Sequence, residues 1–198
     1  MPADDASRPL IVGVSGASGA IYGIRMLEIL KEIGIETHLI MTDAARITLA
    51  SETDLKVSDV ERLASAVHSN QDIGAVCSSG SFRTRGMVVA PCSVETLSEI
   101  AACPGGNLLS RTADVTLKER RRLVLLLRET PLHLGHIRSM QAATEAGAII
   151  YPPVPAFYAR PATLEDMVDH TVARVLDLFD IDARLISRWA GARSKNRS

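Results

Sequence analysis

The chain has 198 residues, of which 46% are hydrophobic and 23% charged, a length and mix suited to one globular domain with its own core. A formal net charge of −1 excludes a general nucleic-acid binder, which needs a basic surface, and aromatic residues at 4% leave few platforms for stacking bases. The three cysteines, Cys77, Cys92 and Cys103, contain no C-x-x-C pair and cannot all pair with one another, so neither a disulfide framework nor a zinc site is expected and a reducing cytoplasmic setting fits best.

The opening residues, MPADDASRP, are polar and carry no signal-type apolar segment, and the closing GARSKNRS is polar and basic. Residues 1–8 and 191–198 are therefore expected to be flexible tails on a single domain spanning 1–198. No apolar run reaches the roughly 20 residues of a membrane helix. Leu10 to Ser15 is a short apolar run that reads as a buried parallel strand ending in a glycine-rich turn. Gly19 to Lys31 has apolar residues at helical spacing, and Gly34 is placed to stop that helix. Glu36 to Met41 reads as a second strand and Asp43 to Ala50 as a short helix. Ser58 to His68 looks weakly helical, and Gln71 to Arg85 is loop-like.

Gly86 to Ala90 is a third strand, broken by Pro91. Val94 to Ala101 and Leu108 to Arg121 follow as helices, Leu123 to Leu127 as a central strand, and His133 to Ala146 as a helix with Gly147 beyond its end. Ala148 to Ile150 starts another strand. Leu164 to Phe179 is the last periodic helix, with Thr163 as N-cap and Asp166 three residues on. Strands alternating with helices predict an α/β, three-layer, doubly wound parallel sheet of Rossmann-like or flavodoxin-like type, whose ligands bind beyond the carboxyl ends of the strands.

That rule selects the residues to inspect. Gly16, Ala17, Ser18 and Gly19 close the first strand; small residues there let backbone N–H groups approach an anion, although the same turn serves as a plain structural link. It is neither G-x-G-x-x-G nor a Walker loop. Thr42 ends the second strand and reads more simply as the cap of the next helix. Ser93, Val94, Glu95 and Thr96 form a capping turn whose free N–H groups offer a second anion site, and Cys92 before them reads as a small buried hydrophobe.

Arg128 and Glu129 emerge together from a buried strand, either as a structural ion pair or as a pair that meets a ligand. Arg111, Asp114 and Lys118 share one helix face, a solvated salt-bridge surface or a cationic wall for a phosphate ester. His133, His136 and Glu145 resemble metal ligands only by residue type, and no metal is expected.

Taken together, several segments resemble the UbiX-type flavin prenyltransferases, a family formerly described as phenylacrylic acid or 3-octaprenyl-4-hydroxybenzoate decarboxylases. The segments are Gly16-Ala-Ser-Gly19, Glu52-Thr53, Ser79-Gly-Ser-Phe82, Gly86 to Ser93, Arg111 to Arg120, Arg128-Glu-Thr-Pro-Leu132, Pro155-Ala-Phe-Tyr158 and Val168 to Arg174. The likeness runs from Leu10 to about Trp189. It implies transfer of the dimethylallyl group of dimethylallyl phosphate to reduced FMN, with bonds at flavin N5 and C6, without metal, in a homododecamer whose product serves a UbiD-type decarboxylase.

The same resemblance implies flavin contacts at Gly16, Ala17, Ser18, Thr42, the turn Ser93, Val94, Glu95 and Thr96, and Arg128. It implies prenyl-phosphate contacts at Tyr158 and Arg174, and a catalytic set of Ser18, Glu52, Lys118, Glu129 and Arg111. Two other activities compete on sequence grounds: a flavin-dependent decarboxylase of the phosphopantothenoylcysteine type, and a non-catalytic flavin carrier. The first would require a catalytic histidine and an Asn/Met loop that have no evident counterpart here; the second would have no use for Glu52, Lys118, Glu129 and Arg174.

Overall fold

A computed structural model describes residues 8–185 except residue 104, so Trp189 and most of the expected tails lie outside the described residues. Six strands, β1 (Leu10–Val14), β2 (Thr37–Met41), β3 (Ala66–Ser69), β4 (Gly86–Cys92), β5 (Arg122–Leu127) and β6 (Ile149–Ile150), form one sheet in the order β3-β2-β1-β4-β5-β6. Every pairing is parallel. Seven helices are described: α1 (Ala20–Glu32), α2 (Asp43–Glu52), α3 (Val57–Glu61), α4 (Val94–Ala102), α5 (Leu108–Lys118), α6 (Leu134–Glu145) and α7 (Leu164–Asp177).

The two faces of the sheet are covered by different helices, which gives the three expected layers. Leu10, Val12 and Val14 of β1 pack with Ile24 and Leu27 of α1 and Val172 and Leu176 of α7. Ile11, on the opposite face, joins Leu97 of α4, Leu109 of α5 and Ala143 of α6. The continuous apolar runs of β1 and β5 follow from this burial on both faces. The α1 stop works as expected: Gly34 takes φ +72°, its N–H donates to Lys31 O at 3.1 Å, and Ile35 N–H reaches Leu30 O at 2.9 Å. Thr163 and Asp166 form a reciprocal capping box at the start of α7.

Three expectations need correction. Ser58 to His68 is not one helix: α3 ends at Glu61 and Ala66–Ser69 is the edge strand β3, whose alternating exposure hides it from an apolar-run reading. Pro91 does not break β4, which continues to Cys92. The pairing with β5 is irregular between Val89 and Cys92, so no ladder N–H is missed, while Pro91 O accepts from Ser15 N–H at 3.1 Å. Helix α5 stops at Lys118, before Arg121, because Arg120 adopts φ +56° and turns the chain into β5.

Candidate functional site

Strands β1 and β4 are neighbours, yet the helices that follow them leave on opposite faces, so the crevice between their carboxyl ends is the switch point of the sheet. Ser15 ties its two sides together. Its hydroxyl donates to Pro91 O at 3.0 Å and accepts the Ser93 N–H at 2.8 Å, within a buried environment. On the β4 side, Ser93 caps α4 by accepting from Thr96 N–H at 3.2 Å. The Val94 and Glu95 N–H groups in that first turn have no intrahelical acceptor and are suited to an anion.

The β1 side is organised differently from expectation. The Gly19 and Ala20 N–H groups that open α1 already have an acceptor: the Glu52 carboxylate, at 2.9 Å from each. Helix α2 makes this possible by lying across the carboxyl edge. It starts at the end of β2, where Thr42 accepts from Ala45 N–H at 3.1 Å, and finishes at Glu52 beside α1. Gly16 is required by this packing, because a Cβ there would sit 2.5 Å from Ala44 Cβ. Burial alone would raise the Glu52 pKa. Hydrogen bonds from the Ser18 hydroxyl and the Ala20 and Gly19 amides, with the field of Arg128, outweigh it and hold the carboxyl below its usual range.

Arg128 leaves β5 and does not pair with Glu129. Its Nη1 donates to Ser18 O at 2.5 Å, and its guanidinium lies 5.9 Å from the Tyr22 ring centre. Gly19, at φ +106°, makes room for it: a Cβ would meet Arg128 Nη1 at 2.7 Å. Glu129 accepts the Thr130 N–H at 2.9 Å. Ser18, Leu127, Arg128, Glu129 and the segment Pro152 to Val154 line a cavity of about 290 Å³ at this edge.

Tyr158, in the short turn 157–159 that precedes α7, and Arg174, on α7, both lie near Tyr151. The Tyr158 ring meets His170 edge-on at 5.8 Å, and His170 stands one turn before Arg174 on the helix. Arg174 also acts electrostatically on Tyr151, the residue that leads into the Pro152 wall; burial, the larger influence, raises the Tyr151 pKa. Arg174 Nη1 donates to Asp177 at 2.5 Å.

Lys118 is not part of this constellation within one chain. Helix α5 ends there and β5 begins four residues later at Arg122, so Lys118 sits at the amino edge of the sheet, opposite Arg128. It pairs with Glu119, while Asp114 is held by Arg111 at 2.8 Å. Arg111 and Lys118 are seven residues apart on α5, about 10.5 Å along its axis.

The sequence reading missed Ser15 and Tyr22, because neither a hydroxyl closing an apolar strand nor a tyrosine in a helix stands out alone. Cys92 is buried as expected, with its thiol pKa pushed strongly upward by burial. His133 is a helix cap, accepting the Gly135 N–H at 3.0 Å.

Comparison with known proteins shows the family and fold of the chain. Residues 1–176 match the Flavoprotein family. A flavin prenyltransferase UbiX of Thauera aromatica is 59% identical over 182 residues, covering 92% of this chain and 94% of that protein. A crystal structure of AnUbiX in complex with FMN and dimethylallyl pyrophosphate superposes with a TM-score of 0.91 at 50% identity, covering 94% of this chain and 99% of the other. A dodecameric FMN-dependent UbiX-like decarboxylase from Escherichia coli O157:H7 superposes with a TM-score of 0.90 at 47% identity, covering 92% and 100%.

Proposed function

Because the chain belongs to the UbiX-type flavin prenyltransferases of the Flavoprotein family, and is itself a flavin prenyltransferase, we propose how its residues divide the reaction between reduced FMN and dimethylallyl phosphate. The observation that carries the proposal is the Ser18, Glu52, Arg128 unit at the switch point, with the Glu129 cavity beside it.

FMN is the acceptor substrate. Its binding falls to Gly16, Ala17, Ser18, Thr42, the Ser93 to Thr96 turn and Arg128, which all stand at the carboxyl edge. In the transfer, the C–O bond of the donor breaks and phosphate leaves with the bonding pair. One end of the allyl group bonds to flavin N5, which gives up its proton; the remaining double bond then takes up a proton and its other end closes on C6, whose proton has to leave. Negative charge grows on the departing phosphate, so cationic groups fixed beforehand lower the barrier most. Arg174 and Tyr158 are assigned to it from within the chain, with Glu129 at the cavity wall on the same side.

Ser18 lines the cavity and donates to Glu52, so a proton taken up by its hydroxyl passes on to the carboxylate. Glu52 is ionised at neutral pH and therefore ready to receive it.

Lys118 and Arg111 enter through assembly. Lys118 lies at the far edge of its own sheet, and we assign it, with Arg111, to the site of a neighbouring copy in a homododecamer. The carboxyl edge carries exposed Val154, Phe157 and Leu164, an apolar rim of the kind a neighbour covers. No helix among the described residues is long and apolar enough to cross a membrane. We place the protein in the cytoplasm, where its three free thiols stay reduced, and its product with a UbiD-type decarboxylase.

Incubation with reduced FMN and dimethylallyl phosphate tests the assignment. The expected result is a flavin heavier by one C5H8 unit, with release of inorganic phosphate. Prenylation only with the pyrophosphate ester would overturn the choice of donor. A mixed assembly, in which one copy lacks Lys118 and the other lacks Arg128, should regain a fraction of the activity that each variant lacks alone; no activity above background there rejects the shared site.

A further inference from the structure

Helices α1 and α7 pack side by side over one face of the sheet. The first turn of α1 carries Tyr22 beside Arg128, and α7 carries His170 and Arg174. Their shared surface is built from apolar side chains, Ile24 and Leu27 against Val172 and Leu176. Across it runs a two-pronged ion pair between remote parts of the chain. Arg25 Nε donates to Asp169 Oδ1 at 2.6 Å, and Arg25 Nη2 donates to Asp169 Oδ2 at 3.2 Å. The third nitrogen, Nη1, donates to Glu28 Oε2 at 3.1 Å, which holds the guanidinium to its own helix.

The side chains of Arg25 and Asp169 are 26% and 29% exposed, and a pair so placed adds little to stability. Its geometric content is larger. Apolar contact is non-directional: it sets the separation of two helices but leaves their roll and slide loosely specified. A guanidinium fork on a carboxylate has one geometry. Asp169 precedes the buried Val172 and Ala173 by three and four residues, so it shares the α7 face that meets α1. His170 and Arg174, four apart, form the adjoining stripe. Successive residues are about 100° apart around a helix, so a roll of α7 that opens the ion pair also re-aims Arg174. On α1, Tyr22, Arg25 and Glu28 are spaced by three, so the stripe that meets Arg128 also grips Asp169.

We propose that Arg25 and Asp169 are positioning residues of the transfer: their ion pair fixes α7 against α1 and thereby sets the donor phosphate, held by Arg174 and Tyr158, at its working distance from the flavin held at the start of α1. The proposal rests on the assignment of Arg174 and Tyr158 to that phosphate. Arg25 acts through α7, not on the reacting atoms. Small displacements of a bound reactant are costly to a bond-forming step, so loss of the pair is read in the use of the donor and not in the binding of FMN.

Steady-state prenylation kinetics on the full chain, with FMN affinity measured beside them, test it. Asp169→Asn and Arg25→Gln should each lower kcat/KM for dimethylallyl phosphate by about fivefold or more while FMN affinity stays within about twofold. The double variant should lose no more than either single one, because the two side chains act as a unit. Glu28→Gln leaves the fork on Asp169 in place and should keep kcat/KM near that of the unsubstituted protein. Retained FMN binding shows that each variant is folded. A lower melting temperature with unchanged kcat/KM in both single variants makes the pair merely structural and overturns the proposal. Losses that multiply in the double variant overturn it as well. Arg174→Gln separates this failure from that of the underlying assignment. If its kcat/KM for dimethylallyl phosphate is unchanged, the assignment of the phosphate falls and takes the proposal with it; if it drops while both single variants stay normal, only the positioning role is lost.

Discussion

The Glu52 carboxylate and the Gly19 backbone N–H, 33 positions apart in the chain, meet at 2.9 Å at the start of α1. A helix N-terminus ordinarily waits for a ligand anion; here the protein supplies one of its own. The consequence is a division of labour between the two helix starts at the switch point. In the function proposed above, the α1 end serves the proton-handling Glu52 carboxylate and the α4 end leaves its first-turn amides for the nucleotide.

Glu52→Gln should leave FMN bound and stall prenylation by at least about a hundredfold, because an amide cannot receive a proton from Ser18. Ser18→Ala should slow turnover while leaving Glu52 at the helix start. The pH dependence has a definite sign. The Glu52 pKa is depressed on folding, so its stabilising contribution is present above the unfolded value and is lost as pH falls through the folded one. The melting-temperature gap between the unsubstituted protein and Glu52→Gln should therefore be full at neutral pH and close below about pH 4. A gap that widens on acidification would contradict the assignment.

Gly19→Ala and Gly34→Ala form a matched pair. Both place a side chain at positive φ, at a cost of about 1–2 kcal/mol. A Cβ at Gly34 meets nothing within 4 Å, whereas one at Gly19 collides with Arg128. Urea denaturation should show a loss of stability in both, larger for Gly19→Ala, and flavin titration should show weakened FMN binding only in Gly19→Ala.

Gly80→Ala probes Lys118 from a distance. The new Cβ would lie 2.2 Å from Glu119 Oε1 and 2.7 Å from Lys118 Nζ, so the ion pair has to move. With Lys118 serving the donor phosphate, kcat should fall or KM for dimethylallyl phosphate rise by about tenfold, with FMN affinity unchanged. Unchanged kinetics would separate Lys118 from the reaction.

Ser15→Ala removes the tie between β1 and β4. The Ser93 N–H then loses its acceptor in a partly buried setting, a loss of about 1–3 kcal/mol measurable by chemical denaturation. FMN affinity should fall as well, since the capping turn of α4 is no longer fixed against the first loop.

Apart from β3, the order of elements, the parallel three-layer architecture and the two loops at the switch point were legible in the sequence. Apolar runs of strand length, helical periodicity and capping residues are local signals, as Gly34 and Thr163 illustrate. The family was legible too, because its motifs are contiguous stretches such as Arg128 to Leu132. Tertiary structure decided which of these residues meet. Only the path of α2 across the carboxyl edge brings Glu52 to Gly19, and only the antiparallel course of α5 against β5 carries Lys118 to the far side of the sheet from Arg128. The short edge strand β3 belongs to the same class. Hydrogen-bond partners and the charge around a cavity depend on distances between segments remote in the chain, and no period or spacing along the sequence encodes them.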